Sequence, residues 1–113
     1  MIVDGAQGGW TADRIVQQGD PYWATVDQRL ASAGVTAAQV QAGWLKEALA
    51  GPTWAFPEDA QRLQGWMKSL AQILRTRFPN LKVLYLSSRI YAGYASSTLN
   101  PEPYAYQSGF SVK

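Results

Sequence analysis

Two apolar segments separated by one long amphipathic helix constrain this chain more than any other feature. From Pro57 onward, Leu63, Trp66/Met67, Leu70, Ile73/Leu74 and Phe78 recur three and four residues apart, the spacing of a single buried helix face. Glu58 and Asp59 lie at its start and Arg75 and Arg77 at its end, where the helix dipole favours them. Pro79-Asn80 stops it, and "LKVLYLSS" follows as a strand whose unbroken apolar run predicts burial on both faces. Ahead of the helix, "VQAGWL" (Val40 to Leu45) predicts another strand, with helix the competing assignment because Ala, Gln and Leu all favour it. Strand, helix and strand in that order make a parallel pair with the helix packed across it.

The N-terminal part extends the pattern. Ile2-Val3 reads as the tail of a buried strand, and "DGAQGG" then places three glycines in five positions before Thr11, a candidate N-cap for a helix reaching Gln18 and closed by Gly19. Asp20 and Pro21 restart a helix, as N-cap and first-turn residue, with Trp23, Val26, Leu30 and Ala33 as its apolar stripe and Gly34 at its end. Thr36 to Gln39 fits a capping box. Beyond Ser88 a Tyr-, Ser- and Pro-rich loop leads toward a helix near Tyr104. The order β-α-α-β-α-β predicts one α/β domain over residues 1–113, a parallel sheet with flanking helices. In such sheets ligands bind beyond the carboxyl ends of the strands, which directs attention to residues 4–10, 46–54 and 87–94.

Composition narrows the chemistry. Ten Lys and Arg against eight Asp and Glu are nearly balanced and scattered, so no phosphate-tracking stripe marks nucleic-acid binding. The chain has no cysteine, which excludes disulfides and thiolate metal sites, and no histidine, which excludes a Ser-His or Cys-His pair built from this chain alone. No apolar run reaches the ~18 residues of a membrane span. The first residues lack the basic-then-apolar pattern of a signal peptide, and nothing in the sequence states a compartment. No cofactor or metal is implied.

Within the three segments, "GAQGG" is neither a dinucleotide fingerprint nor a P-loop, and a bare tight turn explains it as well as a close approach to ligand does. Asp4 and Gln7 lie in that loop. Lys46 and Glu47 follow the Val40–Leu45 strand and read either as solvated loop charges or as a polar pocket wall. Arg89 could grip a carboxylate or phosphate, or pair structurally with Asp4 or Glu47; Tyr91 and Tyr94 lie just beyond it. Of the five tryptophans, Trp23 and Trp66 fall on helix stripes and read as core. Trp10 and Trp54 sit in loops, where they could stack on a sugar or an aromatic ligand.

These residues resemble a family. "IVDGAQGGWTADR" is similar to the second conserved segment of SGNH (GDSL-like) hydrolases, in which a strand ends in an Asn- or Asp-containing turn followed by G-x-T. "VQAGWLKEALAGP", "FPNLKVLYLSSRIYAGYA" and "LNPEPYAYQSGFSVK" look like the middle of a bacterial branch of SGNH-like proteins, so the resemblance runs over essentially the whole chain. It implies a three-layer, flavodoxin-like α/β hydrolase that cleaves small acyl esters or acylated carbohydrates. Its nucleophilic serine sits on the first strand, and a late D-x-x-H supplies the base. The family's oxyanion glycine falls on Gly9, with Asp4, Gln7, Trp10, Lys46, Glu47, Arg89 and Tyr91 lining the substrate site.

Departures accompany the resemblance. The serine segment would precede Met1 and the D-x-x-H would follow Lys113, so the chain is expected to be the central portion of such a protein, incomplete and inert alone. Where a G-x-N-D-like turn is expected, the chain reads Leu45-Lys46-Glu47-Ala48-Leu49, without asparagine. The family's first strand lies between the second and third. Without it, Ile2-Val3 must pair with the Val40–Leu45 strand or leave two apolar edges bare, which predicts self-association through an exposed sheet edge. Alternative readings are a non-catalytic carbohydrate-binding module using Trp10, Trp54, Tyr91 and Tyr94, or a structural α/β module that recruits a partner strand.

Overall fold

The computed structural model describes residues 1–51, 54–88 and 104–113. Its elements are α1 (Ala12–Ile15), α2 (Pro21–Ser32), a 3₁₀ turn (Ala37–Gln39), β1 (Ala42–Leu45), α3 (Glu58–Arg77), β2 (Val83–Leu86) and α4 (Tyr104–Val112). The two strands pair in parallel with Ala42 opposite Val83 and Leu45 opposite Leu86. Helix α3 makes the crossover that a parallel pair requires. The architecture is mixed α/β with a two-stranded parallel sheet among the described residues.

The long helix forms where its periodicity predicts. Leu63, Met67, Leu70, Ile73 and Phe78 are buried, with Trp66 and Leu74 packed at the margin. They join Trp23, Val26 and Leu30 of α2, Ala12 and Ile15 of α1, and Leu45 and Leu49 at the end of β1 in one core. Helix α2 starts as its sequence dictates: Pro21 occupies the first turn and the Asp20 carboxylate accepts from the Tyr22 amide at 2.9 Å. Gly34, at φ +69°, turns the chain away in a conformation that residues with a Cβ rarely adopt. The Thr36 amide donates to Gln39 Oε1 at 2.9 Å, as the capping box anticipates.

Polar contacts fix the helices against each other. Trp23 Nε1 donates to the Ile15 carbonyl inside the core, tying α2 to α1. Arg77 Nη2 meets both Asp27 oxygens at 2.7 and 2.6 Å while its guanidinium lies over the Trp23 ring, tying α2 to the end of α3. Helix α4 docks on the start of α3 through a buried polar seam. Gln107 Nε2 donates to Asp59 Oδ2 at 2.5 Å, and Ser111 Oγ to the Ala60 carbonyl at 2.8 Å. Asp59 Oδ1 accepts from the Ala60 amide, so a carboxylate 3% exposed has a partner for each oxygen at a positive helix end. Gln107 Oε1 is buried and has no hydrogen-bond partner among the described residues, while Nε2 of the same amide makes the charge-assisted bond.

Three expectations are corrected. Ile2-Val3 is not a strand: Ile2 is 97% exposed, and residues 1–7 pair with no strand among the described residues, because extended backbone becomes a strand only where a neighbour completes its hydrogen bonds. The first helix stops at Ile15, short of Gln18, since Gln17 and Asp20 already bond within a tighter turn. The apolar run of β2 is not buried on both faces. Leu84 packs on the core, whereas Val83 and Tyr85 alternate onto the face that no described helix covers, and Leu86, at the strand end, is exposed as well. Leu70 has no accessible surface at the centre of the covered side. Leu70→Ala is expected to lower the free energy of unfolding by about 3 kcal/mol in a urea titration, with an unchanged m-value.

Candidate functional site

Two of the three segments singled out in the sequence meet at the carboxyl end of β1, and the described start of the third joins them. The Ala12 amide, just past the glycine loop, donates to the Ala48 carbonyl at 3.1 Å. The Ser87 amide, just past β2, donates to the Leu45 carbonyl at 3.0 Å, and Trp44 Nε1 donates to Ser87 Oγ at 2.7 Å. Arg89, Tyr91 and Tyr94 lie outside the described residues, as do Pro52 and Thr53.

Helix α2 holds the glycine loop in place. Arg29 Nη1 donates to the carbonyls of Asp4 and Ala6 at 2.9 and 2.8 Å, and Gln7 Nε2 donates to the Tyr22 carbonyl at 3.1 Å. Asp4 Oδ1 accepts from the Ala6 amide two residues on, a local turn bond. The loop closes with a weak bond from the Trp10 amide to the Gln7 carbonyl at 3.4 Å. Gly9 is exposed inside that turn at φ +82°, and its N–H makes no hydrogen bond among the described residues. A side chain there would have open space but a strained backbone, so the glycine is required by conformation rather than by crowding.

Tyr22 gathers the charges of the site. Its hydroxyl is pushed above its ordinary value of 10.0, first by burial and then by the negative charge of Glu47, with Asp4 adding to the rise and Arg29 opposing it. Glu47, Asp4 and Arg29 therefore all act on one phenol, which remains protonated at neutral pH and can donate a hydrogen bond but not serve as a base. Glu47 is half-buried beside it, while Lys46 points into solvent. Among the described residues no group of three or more acidic, histidine or cysteine side chains could hold a metal ion.

Trp10 has a largely structural position. Its Nε1 donates to Asp20 Oδ1 at 2.6 Å, and the Arg14 guanidinium covers its ring at 4.5 Å. Trp54 is similarly covered by Arg62 at 4.4 Å and leans on Trp66. The exposed aromatic cluster is instead Phe56, Tyr106 and Phe110, with ring centroids 4.7–5.0 Å apart, where α4 meets the start of α3. That cluster and the Tyr22–Arg29 pair were not singled out in the sequence, because each depends on residues that only tertiary packing brings together. Two shallow grooves, of about 450 and 550 Å³, flank α2, and neither borders Gly9.

Comparison with protein-family models, curated proteins and solved structures found no match to this chain. The reading of the site therefore rests on its geometry. Asp20 provides a test of how the glycine loop is anchored. The Tyr22 amide above all, then the Trp10 indole and Arg14, hold its carboxyl below the ordinary 3.8 against the opposing effect of burial. A lowered native value means the contribution is complete above the ordinary value and disappears as pH falls through the lowered one. Urea midpoints of wild type and Asp20→Asn should thus differ near pH 6 and converge as pH falls well below the ordinary carboxylate value of 3.8. A difference independent of pH would contradict the network.

Proposed function

We propose that this chain supplies the central strands and one oxyanion donor of an SGNH-type ester hydrolase acting on small acyl esters or acylated carbohydrates. The observation that carries this reading is Gly9: an exposed amide, unbonded among the described residues, held at positive φ in the loop that leads to Ala12, whose amide bonds the Ala48 carbonyl beyond β1. Such a donor, aimed at the developing oxyanion of a tetrahedral intermediate, contributes about 3 to 4 kcal/mol of transition-state stabilisation. Tyr22 and Gln7 brace the loop, and Asp4 and Glu47 supply polar groups around it.

The reading also requires the three-layer, flavodoxin-like sheet, with a further strand beside β1 bearing the nucleophile. With no histidine in the sequence, the general base must come from outside these residues, so the chain alone is expected to be inert. A second reading, a non-catalytic carbohydrate-binding module, draws on the exposed Phe56–Tyr106–Phe110 cluster rather than on Trp10, whose ring is covered by Arg14.

The test joins sequence and kinetics. The source reading frame should encode a G-x-S-N-like turn ahead of Met1 and a D-x-x-H beyond Lys113, and the complete protein should hydrolyse p-nitrophenyl acetate. Replacing Gly9 by semisynthesis with D-proline, whose φ is positive as this turn requires, deletes the amide hydrogen and should lower kcat by roughly 10²- to 10³-fold, with circular dichroism unchanged. A frame with neither motif, or a folded D-proline enzyme with wild-type kcat, would end the hydrolase reading.

A further inference from the structure

In a parallel ladder each residue directs its N–H and C=O to the same side, and successive residues alternate between sides. The Gln41 carbonyl accepts from the Val83 amide and the Leu45 carbonyl from the Ser87 amide, so Gln41, Gly43 and Leu45 face β2. Ala42 and Trp44 consequently direct their peptide groups toward the other edge of β1, where no strand lies among the described residues. Neither strand carries a charged residue or a proline, the usual devices that blunt an open edge. The adjoining sheet face is apolar and bare, with Trp44 73% and Tyr85 65% exposed side by side.

We infer that the free edge of β1 pairs, antiparallel and about a twofold axis, with the same edge of a second copy of this chain. The register follows from the alternation. Ala42 and Trp44 must occupy hydrogen-bonded pairs, so Ala42 meets Trp44 of the second copy, Trp44 meets its Ala42, and the two Gly43 residues face each other across the axis without a side chain between them. The copies thereby make four new main-chain hydrogen bonds and bring two Trp44 indoles into diagonal contact on one face. Lys46, the first charge beyond the strand, comes opposite Val40 rather than another charge. A second copy fits this edge because it brings the same short, uncharged strand and no like charge into opposition. The two exposed rings offer roughly 300 Å² per copy, below the ~800 Å² of a standard interface, which sets a reversible dimer rather than an obligate one.

The hydrolase reading would place a strand of a longer protein on this same edge, so the inference concerns the 113-residue chain by itself, and its test uses that chain. Sedimentation equilibrium and light scattering from about 1 to 500 μM should show a monomer–dimer equilibrium with a dissociation constant on the order of 10–100 μM. Ala42→Pro removes the outward N–H from the first residue of an edge strand, where proline is tolerated, and Trp44→Lys places a charge on an already exposed side chain. Each variant should weaken the dimer at least about tenfold with circular dichroism unchanged. If Ala42→Pro fails to fold, Trp44→Lys decides alone. A wild-type chain that stays monomeric throughout, that forms only large aggregates, or that dimerises equally well with both substitutions overturns the proposal.

Discussion

The rest of this structure depends on the apolar core that α3 forms with α1, α2 and the end of β1. Two parallel strands of four residues each cannot stand alone, since a parallel ladder gains too little from its hydrogen bonds to offset the ordering of both strands and their crossover. What holds them is the apolar core into which Leu45, Leu49, Leu63, Met67 and Leu70 converge, with α1 and α2 closing it through Ile15, Trp23, Val26 and Leu30. The same arrangement explains the exposed side. All the described helix stripes turn toward one face of the sheet, and the residues that alternate outward, Trp44 and Tyr85, are left in water.

The candidate site follows from that packing. Because the crossover fixes the direction of both strands, their trailing segments emerge on one rim, and the bond from the Ala12 amide to the Ala48 carbonyl brings the glycine loop to the same place. Arg29 and Gln7 then hold the loop against α2, so that Gly9 presents its amide from a braced turn rather than from a free end. The hydrolase proposal asks only that this amide do what its position permits. Histidine being absent, a Ser-His pair cannot be built from these residues, and the hydrolase proposal takes its base from outside them.

Much of this was legible in the sequence where the signal is local. The 3.6-residue period of α3, the Asp20-Pro21 start of α2 and the capping box at Thr36 each depend on neighbours within a few residues, and each forms as expected. Ile2-Val3 failed because a strand is defined by its partner, and two β-branched residues cannot supply one. The apolar run of β2 fitted a doubly covered strand, but coverage depends on how many helices cross each face, which no single strand encodes. Asp59 read only as a first-turn acid favoured by the helix dipole; that it is buried, with Gln107 reaching it from 48 residues away, depends on tertiary packing. Trp10 offered an aromatic platform until its neighbours Arg14 and Asp20 engaged both its ring and its indole N–H.

The claim at the centre of this account is that β1 is satisfied on one edge and open on the other. Amide hydrogen exchange by NMR, on a sample dilute enough to be monomeric, reads both edges residue by residue. The account predicts slow exchange at Gly43, Leu45 and Tyr85, which face the partner strand, and fast exchange at Ala42 and Trp44, slowing only as concentration rises. Equal protection of all five amides in the dilute sample would mean that β1 already has a neighbour on its far side, and the description of a two-stranded sheet with one bare edge would be wrong.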